Sequence, residues 1–539
     1  MNRISGKGCG SVFPRGKAVL LCAMLLAFPI KASAYNVPET VRVGLESVCK
    51  NASSASIGTG ELLIGTERDG RFEEGGAVSG GFTAKPASGD YVAVDDEMDC
   101  DDALDLADSL SNMGLDAYAA YLDGEDWTVY VRNASRAEVE QAARESATQI
   151  RGFVGYSLTS GRTALLLPED AVLMGTERDD TISVNGKRYR GMLTFAVRGN
   201  ALTAVNVVGL EEYLYGVVPA EMPQSYEEEA LKAQAVAART YAITKLGAHT
   251  GSGYQLCDTT ACQVYQGYGG EAASTIRAVD DTAGEIACYN GAPIEAVFSA
   301  STGGYTENSE NVWGNRVAYL RAVPEVVEEY GDNTWKRTLT LNELNALLSA
   351  KRESIGTAED IEITKLSTGG RVQELKIIGS RGSRTLTKEE IRTYFSDAAC
   401  GSLPGKMFTI NGKGGEIGAY DGKASAPSSK PEKGTLRAAA VEKGIIARTE
   451  GSLKNMDGKR LTVSLQKNGG SASGTQKDGD YEVYSVSIST VSGGKFVFEG
   501  VGFGHGAGLS QKGAQAMAQE GYDYEEILCH YYTDITIED

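Results

Sequence analysis

Apolar and polar residues begin to alternate at Val41–Leu45 ("VRVGL"), which reads as a strand. An echo follows: "LLIGTERDGR" at 62–71 and "VLMGTERDDT" at 172–181 share Gly-Thr-Glu-Arg-Asp, 110 positions apart. The echo predicts two similar hairpin strands of one sheet, with an insertion between them. Within the insertion "YVAV" at 91–94 reads as a strand. Ala103, Leu106, Ala107, Leu110 and Met113 then fall on one face of a helix at 100–113. "DAYAAYLDG" and "DWTVYVRN" form a hairpin turning at Asp123-Gly124. A second helix is expected over 136–150 (Val139, Ala142, Ala143, Ala147, Ile150), and "FVGYSL" at 153–158 closes the unit. The order βαββαβ is ferredoxin-like.

After Tyr189, "GMLTFAVRG" and "ALTAVNVVGL" read as strands, and "EEYLYGVVPAEMP" leads into a long alanine-rich helix. Ser225 and Glu228 suggest a capping box for it, Leu231, Ala235, Ala238 and Ala242 one buried stripe, and Gly247 its end. Residues 422–480 are rich in Lys, Ser and Gly and read in part as a flexible surface excursion. The C-terminal "GVGFGHGAGLSQKGAQAMAQEGYDYEEILCHYY" predicts a glycine loop and two short helices, the second capped by Asp523 with Glu526.

Length and charge narrow the class. A chain of 539 residues exceeds one ordinary core, so two or three domains are expected. Arg3, Lys7, Arg15 and Lys17, an apolar run over Ala18–Ile30 and Ala32-Ser33-Ala34 read as a secretion signal with its cleavage site. The protein is therefore expected outside the cytoplasm, in the cell envelope or beyond it, with an uncleaved anchor as the alternative. If the signal is removed, no later stretch is long and apolar enough to span a bilayer. The formal net charge of −20 argues against nucleic acid as a partner and leaves glycans, peptides and proteins open. Cys9 and Cys22 fall in the leader. Cys49, Cys100, Cys257, Cys262, Cys288, Cys400 and Cys529 remain, too sparse for a disulfide scaffold. Their odd number leaves at least one free, metal-bound or paired between chains.

Only three histidines exist, His249, His505 and His530, and neither a G-x-S-x-G elbow nor an H-E-x-x-H helix is present. The unusual carboxylate is Glu221, held between Pro219 and Pro223. By itself a glutamate between prolines reads as a loop carboxylate. Apolar Val217, Val218 and Met222 would raise its pKa by desolvation, and the nearby helix N-terminus would lower it.

Several co-linear stretches, "GLEEYLYGVVPAEMP", "EALKAQAVAARTYA", "CDTTACQVYQGY", "AVFSASTGGYTENSENVWG", "YLRAV" and "GFGHGAGLSQKGAQAMAQEGYDYEEILCHYY", together resemble the stage II sporulation protein D (SpoIID/LytB) family. The insertion, with "YVAV", "ALDLADSLSNMG" and "WTVYVRN", resembles a SPOR domain, a class that binds peptidoglycan glycan stripped of its peptides. The resemblance implies an α+β fold: mixed sheets packed with helices in a SpoIID-like catalytic core, carrying an inserted ferredoxin-like, SPOR-like domain. The expected division is a signal peptide at 1–34, N-terminal core strands at 35–87, a SPOR-like glycan-binding domain at 88–159 and a SpoIID-like catalytic domain at 160–539.

The family's activity implies a peptidoglycan lytic transglycosylase in cell-wall remodelling linked to sporulation. Glu221 is then the single acid and base, and glycan strands ending in 1,6-anhydro muramic sugar are the products. Arg239, matched to "AVAARTYA", is expected to bind substrate or orient the glutamate. Ser301, Gly303, Gly304, His505, Ser510 and Gln511 are expected to offer hydrogen bonds to sugar. No cofactor is required. Some members bind zinc at the cysteine motif, with a histidine where this chain has Ala261. His249, Cys257 and Cys262 would give three ligands, and a Cys257–Cys262 disulfide or two reduced thiols are the other readings. The competing function is a non-catalytic wall protein that stimulates a separate cell-wall amidase.

Overall fold

The computed structural model describes residues 37–414 apart from 59, 177–180, 330 and 368, residues 494–538, and the backbone of short strands at 7–8, 461–467, 470–477, 480–481 and 484–488. The apolar run and cleavage signal of the leader, and residues 422–460 of the expected excursion, lie outside the described residues. Beyond them, Leu461–Lys467 and Gly470–Lys477 pair as an antiparallel hairpin. The chain folds as two compact units, one made of 33–225 and 238–285, the other chiefly of 226–237 and 286–539.

In the first unit the two echo segments lie side by side. Strands Glu61–Arg68 and Ala171–Gly175 are antiparallel neighbours, with Leu173 opposite Ile64 and Val172 opposite Gly65. They belong to a seven-stranded sheet, which also contains Thr40–Gly44, Met192–Arg198 and Ala201–Gly209. Val41, Val43, Ile64, Leu173, Phe195 and Val205 are fully buried on it.

The insertion follows the expected order. Helix α1 (Cys100–Asn112) and helix α2 (Arg136–Ala143) connect four strands that lie side by side as 147–160, 82–94, 126–132 and 116–123, all antiparallel to their neighbours. This is the split βαβ arrangement of a ferredoxin-like unit. Two features differ from expectation. Helix α2 stops at Ala143, because Arg144 takes a left-handed conformation (φ 62°), so residues 147–150 open the last strand rather than close the helix. A further strand, Thr163–Pro168, pairs with both 147–160 and 116–123 and closes the four into a five-stranded ring. The ring encloses Tyr91, Tyr130, Ala93, Ala120 and Leu166, with Phe153 edge-on to Tyr91 at 5.6 Å. The strand Phe82–Val94 also begins before residue 88, and the closing strand lies after 159.

Helix α3 (Leu210–Glu221) and helix α4 (Glu228–Lys245) follow the core strands. Ser225 does not cap α4. The helix begins at Glu228, and the Glu227 carbonyl accepts from the amides of Ala230 and Leu231. Burial is also wider than one stripe, since every position from 233 to 240 is buried. Alanine makes that tolerable, because small side chains let neighbours approach the helix from all sides.

The second unit has an aromatic core of Trp335, Phe395, Phe408, Phe496 and Phe498. It lies among strands Thr334–Thr340, Lys495–Val501 and Met407–Ile410, and a second sheet that includes Ala358–Leu366 and Val372–Gly379. Phe298–Ser299 pairs in parallel with Leu509–Ser510, which joins the "SASTGG" stretch to the C-terminal glycine loop.

Candidate active site

Glu221 is the last residue of α3, with Met222 as its C-cap in extended conformation. The expectation of a glutamate beside a helix N-terminus is thereby corrected: it sits at the C-terminal, negative end of a helix dipole, and α4 starts only at Glu228. Pro219 lies inside the last turn of α3 and cannot donate to the carbonyl one turn back, so the helix ends soon after it.

The segment 263–267 acts as a strap along α3. The Val264 amide donates to Glu221 Oε1 at 3.4 Å, and the Gln266 amide donates to the Gly216 carbonyl at 3.1 Å. A Cβ on Gly216 would come within 2.6 Å of the Tyr265 ring, so only glycine lets strap and helix touch there. Below the strap, Tyr213 donates to Gln263 Oε1 (3.1 Å), Gln263 Nε2 to the Ala238 carbonyl (3.2 Å) and Tyr265 to Asn206 Oδ1 (2.9 Å). Burial pushes both phenols well above their usual pKa, with the charge of Glu221 a minor contributor at Tyr213. Glu221 itself is half-buried.

Arg239 is engaged inside the fold rather than open to a substrate. It is fully buried, its Nε donates to Glu211 Oε1 (2.8 Å) and its remaining nitrogens to Glu211 Oε2 (2.5 Å), the Glu285 carbonyl (3.0 Å) and the Val279 carbonyl (3.2 Å). Glu211 lies in the first turn of α3, and its Oε1 also accepts from the Gly284 amide. Arg239 thus ties down the start of the helix whose end carries Glu221.

His249, Cys257 and Cys262 come together just before the strap, their ligand atoms all within 4.8 Å of one another. Cys262 Sγ lies 3.3 Å from His249 Nε2, and both cysteines are free thiols, so the disulfide reading is set aside. Burial pushes the Cys262 thiol up to about 11. The donor set suits a borderline-soft divalent cation that stabilises thiolates, with three of the four ligands of a closed structural site. Ala261 offers no donor at the position where a histidine is expected in the zinc-binding members.

The expected sugar-binding residues belong to the second unit, and most are already engaged. Ser301 Oγ donates to Glu329 Oε2 (2.7 Å) and Ser510 Oγ to Glu329 Oε1 (2.8 Å). The Gly303 amide donates to Glu329 Oε2 at 2.7 Å, and Gly303 (φ +78°) has no room for a Cβ beside Val501. Ser510 also caps the helix Gln511–Gln519 by accepting from the Gly513 amide, while Gln511 Nε2 donates to Gln234 Oε1. Ser301, Ser510 and Gln511 are buried, so these three contacts to sugar are corrected to internal ones. Gly304 has open space around its α-carbon, and His505 is half-buried.

The centre of this cluster was not anticipated. Glu325 and Glu329 are both buried and meet at Thr302 Oγ1, 2.6 Å from Glu325 Oε1 and 2.7 Å from Glu329 Oε1. One hydroxyl proton cannot serve both oxygens, so a second proton belongs on the pair. It sits on Glu325, whose carboxyl is pushed up to about 8 by burial and then by the charge of Glu329. Glu329 instead has donors from Ser301, Ser510, Thr302 and Gly303. The only sequence signal was an i, i+4 pair of glutamates in "PEVVEEYG", which is indistinguishable from a solvated acidic face.

A helix that ends in a half-buried glutamate, strapped by a cysteine motif, defines the class. Residues 198–289, which hold α3, α4, the strap and the cysteine–histidine cluster, match the family model "SpoIID: Stage II sporulation protein". The chain thus carries a SpoIID family domain over these residues. Residues 308–420 match a domain of unknown function. Among similar proteins, the amidase enhancer of Bacillus subtilis (strain 168) is 30% identical over 412 residues, 70% of this chain and 47% of that protein. The stage II sporulation protein D of Bacillus amyloliquefaciens is 28% identical over 353 residues, 62% of this chain and 75% of that protein. An uncharacterised protein of Brachyspira hyodysenteriae is 29% identical over 370 residues, 67% of this chain and 76% of that protein. The chain thus spans about half the length of the amidase enhancer it matches. Among the described residues no helix is long and apolar enough to cross a membrane.

Proposed function

We propose that the protein acts on peptidoglycan in the cell envelope as a lytic transglycosylase, with Glu221 as its one acid and base. The observation that carries this reading is the fixation of Glu221: a half-buried carboxylate on a helix end anchored by Arg239 and strapped through the Val264 amide. Such immobility suits proton transfer to and from a bound substrate. Protonated Glu221 gives its proton to the glycosidic oxygen as the bond from the muramic anomeric carbon breaks. The resulting carboxylate takes the proton of the muramic 6-hydroxyl as that oxygen bonds to the anomeric carbon. The 1,6-anhydro ring closes, Glu221 ends protonated, and no water is consumed. His249, Cys257 and Cys262 would hold a structural zinc that secures the strap. The second reading is stimulation of a cell-wall amidase, favoured by the likeness to the amidase enhancer.

The inserted unit gets no glycan-binding role here. A SPOR-like sheet face would have to lie open along a glycan, whereas the face away from α1 and α2 is the filled interior of the ring. Mass spectrometry of peptide-free glycan strands incubated with the protein tests the proposal. It expects 1,6-anhydro ends. Reducing ends carrying ¹⁸O from labelled water would indicate a hydrolase, and intact strands with accelerated amidase action would establish the enhancer reading.

A further inference from the structure

The strand Lys187–Arg190 ("KRYR") puts three cations into four residues of a chain whose net charge is −20. It is the outermost strand of the eight-stranded sheet and pairs with Thr181–Val184 on its inner side. Successive side chains of a strand alternate between its faces. Tyr189 is buried, so Arg188 and Arg190 share the opposite face, and Lys187 falls on the side of Tyr189.

Both guanidiniums meet the ring of Tyr268, the residue that follows the strap. Arg188 Cζ lies 4.4 Å and Arg190 Cζ 5.0 Å from the ring centroid. The two arginines are then used differently. Arg190 Nε donates to Glu271 Oε1 at 2.7 Å and its Nη2 to Oε2 at 2.8 Å, so its charge is matched within the fold. Arg188 is exposed, and among the described residues no carboxylate lies within ion-pair distance of it. Stacking occupies the face of a guanidinium and leaves the N–H donors of its edge open.

The strap ties this place to Glu221. A Cβ on Gly267 (φ +65°) would come within 2.7 Å of the Arg188 carbonyl oxygen, so the strap lies directly on the strand. Val264, whose amide reaches Glu221, precedes Tyr268 by four residues, a span of at most about 14 Å. All of these residues belong to the unit that carries Glu221.

We propose that Arg188, held on Tyr268, is a subsite for a single carboxylate carried by the muramic sugar of a glycan strand: the lactyl carboxylate of a bare strand or a carboxylate of a stem peptide. A planar guanidinium with free edge donors grips a carboxylate in a two-pronged contact. One such group in a strongly acidic chain suits an isolated carboxylate and not a phosphate polymer, which the net charge repels. The stack on Tyr268 holds the side chain in place and spares binding the cost of ordering it. The subsite rests on the reading of the protein as acting on peptidoglycan.

The test is calorimetric titration of the full chain, in the Glu221→Gln background, with peptide-free glycan strands, with strands that keep their stem peptides, and with tri-N-acetylchitotriose, which has no carboxylate. Arg188→Ala is expected to weaken binding of at least one kind of strand by about tenfold and to flatten its salt dependence. Its affinity for tri-N-acetylchitotriose and its melting temperature should be unchanged. Arg188→Lys keeps the charge, loses the fork and should recover only part of the affinity. A loss confined to bare strands assigns the lactyl carboxylate, a loss confined to peptide-bearing strands assigns the stem, and a loss on both means that the site accepts either. Unchanged affinity for both strands, an equal loss on tri-N-acetylchitotriose, or no binding of either strand by the native chain overturns the subsite. Arg188→Gln, closer in size, replaces the alanine variant if that one does not fold. Failure of the lytic reading looks different: with Glu221 restored, strands bind through Arg188 and no anhydro ends form. Conversely, anhydro ends formed with an unaltered KM in Arg188→Ala leave the lytic reading standing and remove the subsite.

Discussion

The neighbourhood of Glu221 and the loop Ser301–Gly304 were both read from the sequence as places where polar groups meet sugar, and the structure treats them in opposite ways. Around Glu221 the protein's hydrogen bonds go to the frame that holds the carboxylate: the Arg239 guanidinium to the Glu211 carboxylate, the Gln266 amide to the Gly216 carbonyl, the Gln263 side chain to the Ala238 carbonyl. The carboxylate itself stays half-buried and accepts from the Val264 amide at 3.4 Å. At the loop the reverse holds. Ser301, Thr302, Gly303 and Ser510 all turn inward to solvate Glu329, a carboxylate of their own chain. A hydroxyl in a glycine-rich loop is therefore no evidence of an open donor. It can equally be the internal solvent of a buried acid, whose desolvation would otherwise be prohibitive.

The sharpest break of this contrast is chemical. Glu221→Gln keeps the size and the Val264 contact while removing the titrating proton. Cleavage of glycan strands should fall by about 10²–10⁴-fold, the share usual for a general acid–base group, while the melting temperature hardly moves. Wild-type cleavage by this variant would place the acid elsewhere.

Next in size is the anchor of α3. Glu211→Ala leaves the fully buried guanidinium of Arg239 without its counter-charge, and breaking a buried pair in that way costs about 3–5 kcal/mol. Arg239→Met should cost less, because Glu211 is partly exposed and can turn to water. Urea titration of both variants gives the order, and the reverse order would mean that Arg239 matters mainly for the Val279 and Glu285 carbonyls.

Glu325 supplies a pH signature on the other side of the comparison. Its carboxyl is protonated in the fold up to about 8, against about 4.5 when unfolded. Folding then takes up a proton between those values, so the stability it supports is complete below pH 4.5 and is lost as pH rises toward 8. The groups around it are Glu329, Thr302, Tyr531 and, more distantly, Arg371. The slope from this one group is at most about 1.4 kcal/mol per pH unit. Glu325→Gln should flatten the decline in urea-measured stability between pH 5 and 8. An equal decline in the variant would mean that Glu325 is ionised throughout.

How far the sequence was legible follows from what periodicity and motifs encode. The echo strands, α1, the hairpin at Asp123-Gly124 and the ferredoxin-like order came from local patterns, and they stand because each local preference agrees with the fold. The end of α2 was missed because its helical spacing runs on past Arg144, where a left-handed residue stops it without a glycine. The closing strand Thr163–Pro168 was invisible as a ring closure, since parallel pairing with 116–123 is a long-range event. At the candidate site, motif matching grouped His249, Cys257 and Cys262, which the fold does bring together. It could not tell that Arg239, Ser301 and Ser510 serve internal carboxylates, because Glu211, Glu325 and Glu329 look in sequence like solvated acids.

The smallest effect is also the one that separates the two readings of the loop most cleanly. Ser301→Ala removes one of the hydroxyls on Glu329, and hydrogen bonds to charged groups contribute about 1.5–3 kcal/mol. The remaining donors from Ser510, Thr302 and Gly303 can close in part over the gap, which puts the expected cost near the lower end of that range. Because Ser301 is 1% exposed, its hydroxyl has no path to a ligand, and the affinity for tri-N-acetylchitotriose should be unchanged. Thermal melting and calorimetric titration of the same variant decide the matter together. A lower melting temperature with unchanged affinity makes Ser301 internal solvent for Glu329. An unchanged melting temperature with a several-fold loss of affinity would return it to the sugar and show that the loop opens when a glycan arrives.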